Sequence, residues 1–120
     1  MNTAPAVRHG VEVTTTDATP TVASVLQTEA NKTYHVTARV AAVETVDHDE
    51  SAGYTRVAAF QNDGGVLTQI GSTAAPFTAE TTAGWDFGLS ASGTEIRATV
   101  TGAAATSINW RVDLDCLEET

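Results

Sequence analysis

Apolar and polar residues alternate with period two along most of this chain, and no stretch combines a helical i, i+3, i+4 stripe with helix caps. The clearest run is residues 107–118, where Ile108, Trp110, Val112, Leu114 and Cys116 face one way and Asn109, Arg111, Asp113 and Asp115 the other. Successive side chains of a strand point to opposite faces, so this pattern predicts a strand with one side buried. Just upstream, Ile96, Ala98 and Val100 alternate with Arg97, Thr99 and Thr101, and the small residues 102–106 between the two runs predict a β-hairpin. Trp85, Phe87 and Leu89 share one face of a strand between Gly84 and residues 90–93. Burial of its two aromatic rings stabilises the fold by about 1.5–3 kcal/mol each.

The alternation of Tyr34, Val36, Ala38, Val40 and Ala42 is long enough for a bend or bulge to be expected at Ala41, Ala42 and Val43, where it blurs. Tyr54, Ala58 and Phe60 form the next apolar face. Asn62-Asp63-Gly64-Gly65 then supplies the positive-φ residues of a tight hairpin turn before residues 66–70. Val11 and Val13 open a first strand, Asp17-Ala18-Thr19-Pro20 turns it, residues 22–26 form a second, and residues 29–32 turn again. Residues 77–81 suit a short edge strand behind Pro76, because proline is tolerated at strand starts and edges. About eight or nine short strands at this spacing predict an all-β fold, an antiparallel β-sandwich or jelly-roll-like single domain over residues 11–120. Residues 1–10 carry no pattern and read as an N-terminal arm free to be flexible. The expected core is Tyr34, Val36, Phe60, Trp85, Phe87, Leu89, Ile96, Val100, Ile108, Trp110, Val112 and Leu114.

Length and charge narrow the function. The chain has 120 residues, enough for one core. With 15 acidic residues against 6 Lys and Arg, its net charge of −9 repels a phosphate backbone or an anionic leaflet, so nucleic acid and membrane are not expected partners. Charged residues make up only 18% of the chain, while Thr and Ala supply roughly a third, a bland surface of small side chains. A single cysteine, Cys116, forms no internal disulfide. It lies on an apolar strand face, where a thiol acts as a small hydrophobe. No signal-peptide pattern and no long apolar run is visible.

Candidate chemistry is sparse. Asp47-His48-Asp49-Glu50 is the densest polar cluster, and Asp47, Asp49 and Glu50 are the candidate ligands for a divalent ion. Their spacing fits neither an EF-hand nor a zinc motif, which favours a solvated acidic loop. His9, His35 and His48 are far apart, and no Ser or Cys sits in a nucleophile-elbow context. Glu80, Asp86, Glu95, Asp113 and Asp115 fall on or near strands, so a carboxylate pair for glycoside chemistry is conceivable only if two of them face each other across a cleft. Gly64-Gly65 lacks the Lys-Ser/Thr of a phosphate loop. No catalytic residue and no cofactor is expected.

At Thr14-Thr15-Thr16-Asp17-Ala18-Thr19-Pro20-Thr21, Gly84-Trp85-Asp86-Phe87, Val100-Thr101-Gly102 and Thr106-Ser107-Ile108-Asn109-Trp110, the chain resembles small structural modules of tailed-bacteriophage virions. Such modules are β-rich, commonly trimeric, and serve as capsid decoration or cement proteins, head fibres or tail-fibre domains. The resemblance implies a non-enzymatic virion protein. The first expectation is a homotrimeric capsid decoration protein, whose partner is the major capsid protein or another virion subunit. There Pro5, Val7, Arg8 and His9 would touch the capsid or a neighbouring subunit, and weakly polar outward positions such as Thr37, Thr55, Val57, Ala59, Thr99 and Thr101 would carry oligomer contacts. The alternative is a tail-fibre or baseplate module that binds a host-surface receptor or glycan through loops 46–53 or 72–76. In that case Trp85 or Trp110 would have to be exposed for a sugar to stack on it, whereas the pattern buries both.

Overall fold

The structure is a computed structural model that describes residues 6–120, with side chains from Gly10 onward. Eight strands follow one another: β1 (Ala6–Thr15), β2 (Thr21–Gln27), β3 (Lys32–Glu44), β4 (Ser51–Asp63), β5 (Val66–Glu80), β6 (Asp86–Ser92), β7 (Glu95–Thr101) and β8 (Ile108–Glu119). They form two antiparallel sheets, one ordered β1-β8-β3-β4-β5 and one ordered β2-β7-β6. No helix occurs among the described residues. The first strand lies beside the last and the second beside the seventh, so the chain wraps like a folded ribbon, and the molecule is elongated at 51 × 25 × 22 Å.

The apolar faces of the two sheets meet in one core. The larger sheet contributes Tyr34, Val36, Val40, Tyr54, Phe60, Ile108, Trp110, Val112 and Leu114, and the smaller one Leu26, Phe87, Leu89, Ile96, Ala98 and Val100. Trp85, from the segment before β6, packs its ring against Trp110 with centroids 6.0 Å apart and planes tilted by 53°. Both tryptophans are buried, and Trp110 Nε1 donates to Thr15 Oγ1 at 2.9 Å. A second buried polar chain closes the opposite end: Asn62 Nδ2 donates to Thr28 Oγ1 (3.0 Å), which donates to the Thr94 carbonyl (2.6 Å). Such groups are stable inside because each has found a partner.

Several local expectations change. β7 and β8 do not form a hairpin: they belong to opposite sheets, and residues 102–107 carry the chain across the sandwich. Alternation shows that each strand buries one face, and two strands facing each other across a core satisfy that as well as two neighbours in one sheet. β3 runs through Ala41, Ala42 and Val43 with no register shift on either side, because β4 and β8 pair with it continuously. The irregularities lie instead between Val22 and Ser24 on β2, and opposite β4 at Thr55, Val57 and Ala59. Those at β4 absorb residues 72–76, so the runs at 66–70 and 77–81 merge into the single strand β5, an outer strand on which every residue from Ala74 to Glu80 is exposed. The turn at Gly64 and Gly65 is as expected, with φ of 61° and 94° joining the paired residues Asp63 and Val66. Residues 6–10, placed in the arm by their lack of pattern, pair as backbone with β8 from Ala6↔Leu117 to Gly10↔Asp113. Residues 1–5 lie outside the described residues.

Candidate functional site

The outward face of the five-stranded sheet holds a cleft of 490 Å³ lined by Gly10, Arg39, Val40, Ala41, Gly53, Tyr54, Thr55, Phe77, Arg111 and Asp113. Strand register explains it. One row across the sheet runs Gly10, Asp113, Arg39, Thr55, Phe77, and the next runs Glu12, Arg111, Ala41, Gly53, Ala79. Ala41, Gly53 and Thr55 are neighbouring small residues in these rows and make a depression, and the longer side chains of Arg39, Arg111, Asp113 and Phe77 stand around it. Gly53 lines the cleft without a side chain: a Cβ there would lie 3.5 Å from Phe77 Cε2, so the phenyl ring is seated against the strand where a side chain is missing.

Phe77 is the most exposed aromatic side chain of the described residues, at 54%. It is held in place from the backbone, because Arg56 Nη1 donates to the Phe77 carbonyl at 2.8 Å. Arg56 sits on the inward parity of β4 and escapes burial by lying over the Tyr54 ring, 5.1 Å from its centroid. Tyr54 O–H in turn donates to Glu80 at 2.5 Å, and burial together with this bond raises the phenol above its usual range. Across the cleft, Arg39 pairs with Asp113 at 3.1 Å and Arg111 with Glu12 at 3.4 Å, and both guanidinium side chains remain well exposed, at 61% and 60%. A ring with polar forks around it suits a ligand with both apolar and hydroxyl-rich faces.

The acidic loop has a different centre from the one expected. The carboxylates of Glu44, Asp47 and Asp49 come within 4.8 Å of one another, and Glu50 is outside this group. Glu44 is buried and accepts from the backbone N–H of Asp47 (2.7 Å) and of Val46 (2.9 Å). These bonds, Asp47 first, hold its carboxyl below the usual range despite burial. The residue organises the loop as a cap over the bend at residues 45–47, and His48 follows the bend with a φ of 59°. Its inward parity after Val36, Ala38, Val40 and Ala42 was a usable sequence signal, since a carboxylate at an inward position needs donors.

The remaining candidates do not converge. His35 is exposed on β3 and His48 lies in the loop, while the side chain of His9, like those of Val7 and Arg8, falls outside the described residues, as does Pro5. Cys116 is buried, and that burial pushes its thiol up to about 11. Glu80 engages Tyr54, Asp86 accepts from the Phe87 N–H at 2.8 Å, Glu95 pairs with Arg97 at 3.0 Å, and Asp113 pairs with Arg39. Thr37, Thr55, Val57 and Ala59 are half-buried on the outward side of the larger sheet, and Thr99 and Thr101 on that of the smaller one. Of the loops considered for recognition, residues 72–76 are strand, as are residues 51–53. Phe77 carries no local sequence signal of a binding residue, because its place beside Thr55 in the cleft depends on the pairing of β5 with β4.

The sequence matches no protein-family model and no curated protein. The fold does match solved structures. It is similar to the tailspike protein of Acinetobacter baumannii phage AM24, with a TM-score of 0.51 and 7% identity over 95% of this chain. Another similar structure is a tailspike protein from Acinetobacter baumannii bacteriophage Fri1, described as a capsular polysaccharide depolymerase, with a TM-score of 0.48 and 14% identity over 92% of this chain. This chain spans 26% and 17% of the lengths of those two proteins.

Proposed function

We propose that this chain is a non-enzymatic, homo-oligomeric module of a phage tail that holds a host-surface glycan in the cleft beside Phe77. The observation that carries the reading is the cleft itself, an exposed ring and two arginine–carboxylate pairs on a rigid sheet face. The architecture shared with the AM24 tailspike protein supports the tail in preference to the capsid surface. Half-buried, weakly polar positions on the same sheet face but outside the cleft lining, Thr37, Val57 and Ala59, suit contact between copies. Engagement of Glu80, Asp86, Glu95 and Asp113 by structural partners supports binding without cleavage.

The test offers the purified protein immobilised host-cell surface polysaccharide and, separately, phage capsid shells. The expected result is retention on the polysaccharide, loss of retention in Phe77→Ala, no binding to shells, and recovery of the polysaccharide at unchanged length. Binding to shells without binding to polysaccharide overturns the proposal in favour of capsid decoration. Shortening of the polysaccharide overturns its non-enzymatic part.

A further inference from the structure

We infer that the site takes a neutral oligosaccharide of at least two sugar rings, which passes over Phe77; this rests on the glycan-binding reading above. A second cleft, of 410 Å³, lies at the far end of β4 and β5 and shares Phe77 and Gly53 with the first. Each volume falls within the roughly 300–1,000 Å³ of small-molecule sites, so the phenyl ring divides two spaces of useful size. Because the ring rests against Gly53 and leaves half its surface open, a saccharide crossing it keeps an apolar C–H face on the aromatic carbon.

The two spaces differ in chemistry in a way that points to charge class. At the first, both guanidinium groups are already matched, Arg39 by Asp113 inside the cleft and Arg111 by Glu12 just outside its lining, so the two pairs together carry no formal charge. A guanidinium fork beside a carboxylate presents donors and acceptors together, which fits adjacent hydroxyl groups that both donate and accept. An anionic sugar would have to draw an arginine from its carboxylate against the field of a chain with net charge −9. It would also meet Glu80 in the second cleft, whose other walls are the small residues Ser51, Ala52, Ala79 and Thr81.

The experiment measures binding of the intact chain to a panel of neutral saccharides of one to six units and to matched saccharides containing uronic acids. Binding is read at low and at high salt, about 20 and 500 mM, where exposed charge attraction differs strongly. Neutral disaccharides and longer chains should bind at least about tenfold tighter than monosaccharides, and Phe77→Ala should lose that gain. Affinity should change less than about twofold with salt. Gly53→Val, whose Cβ meets Phe77 at an ordinary contact distance and raises the floor, should weaken binding as well while the thermal midpoint reports an intact fold. Preference for acidic saccharides with salt-sensitive affinity overturns the neutral class and leaves glycan binding standing. Equal affinity for one ring and several overturns the two-ring site, and failure to bind any saccharide overturns this inference together with the function it rests on.

Discussion

Gly102→Ala tests how the crossing between the two sheets is packed. A Cβ at this position would lie 2.5 Å from Thr15 Oγ1, 3.1 Å from Ile108 Cδ1 and 3.2 Å from the Asp17 carbonyl oxygen. Gly102 has no positive φ, so the cost is steric and not one of backbone conformation. The hydroxyl in the way is buried and accepts the Trp110 indole N–H, so moving it leaves that donor unpaired in the core. Overpacking costs about 1–3 kcal/mol. An unsatisfied buried donor adds about 1–3 kcal/mol, which gives about 2–6 kcal/mol for the substitution. In a domain of this size each kcal/mol lowers the midpoint by about 3–5 °C, so a drop of roughly 12–20 °C is expected near the middle of that range. Thermal unfolding followed by circular dichroism and tryptophan emission measures it. In a double-mutant cycle, Thr15→Ala should carry part of the loss alone, and adding Gly102→Ala should then cost less than in the wild type, because the clashing atom is gone. A midpoint within about 3 °C of wild type for Gly102→Ala, or strict additivity in the cycle, would refute this account of the packing.

The acidic loop and the lone cysteine give two further expectations. Glu44 titrates below its unfolded value of about 4.3, so its contribution is complete above that pH and disappears as pH falls through the folded value. Thermal midpoints of wild type and Glu44→Gln should therefore differ at pH 7 and converge as the pH falls below the unfolded value and through the lower folded one, whereas a constant gap would contradict the role of the charge. Cys116, with its thiol raised to about 11, should resist a thiol reagent at pH 8 until guanidinium unfolds the chain, and rapid reaction of the native protein would contradict its burial.

What the sequence revealed and what it hid follow from one property of strands. Alternation reports which side chains share a face, so the inward series Val36 to Phe60 and Ile108 to Leu114 could be read directly, as could the burial of both tryptophans. It does not report which strand lies alongside, so the run at Ile96 to Val100 suits a hairpin with β8 by pattern although the two occupy opposite sheets. β5 was hidden for another reason. Gly71, Ser72 and Pro76 are turn-formers, yet an outer strand has a free side on which proline and register shifts cost little, so the chain stays extended through them. The cleft depends on five strands lying in one register, with residues as far apart as Gly10 and Asp113 side by side. No local pattern carries that information.

The pairing of Ala6 with Leu117 places the start of β1 next to the end of β8, a single strand spacing of about 4.8 Å away. The cleft residues Asp113 and Arg111 lie four to six positions back along β8, roughly 13–20 Å from that end at the rise of an extended chain. The sandwich therefore suits use as a cassette: spliced into an exposed loop of a carrier protein, both joints would sit together at one pole, and the Phe77 side of the sheet would be presented clear of the attachment.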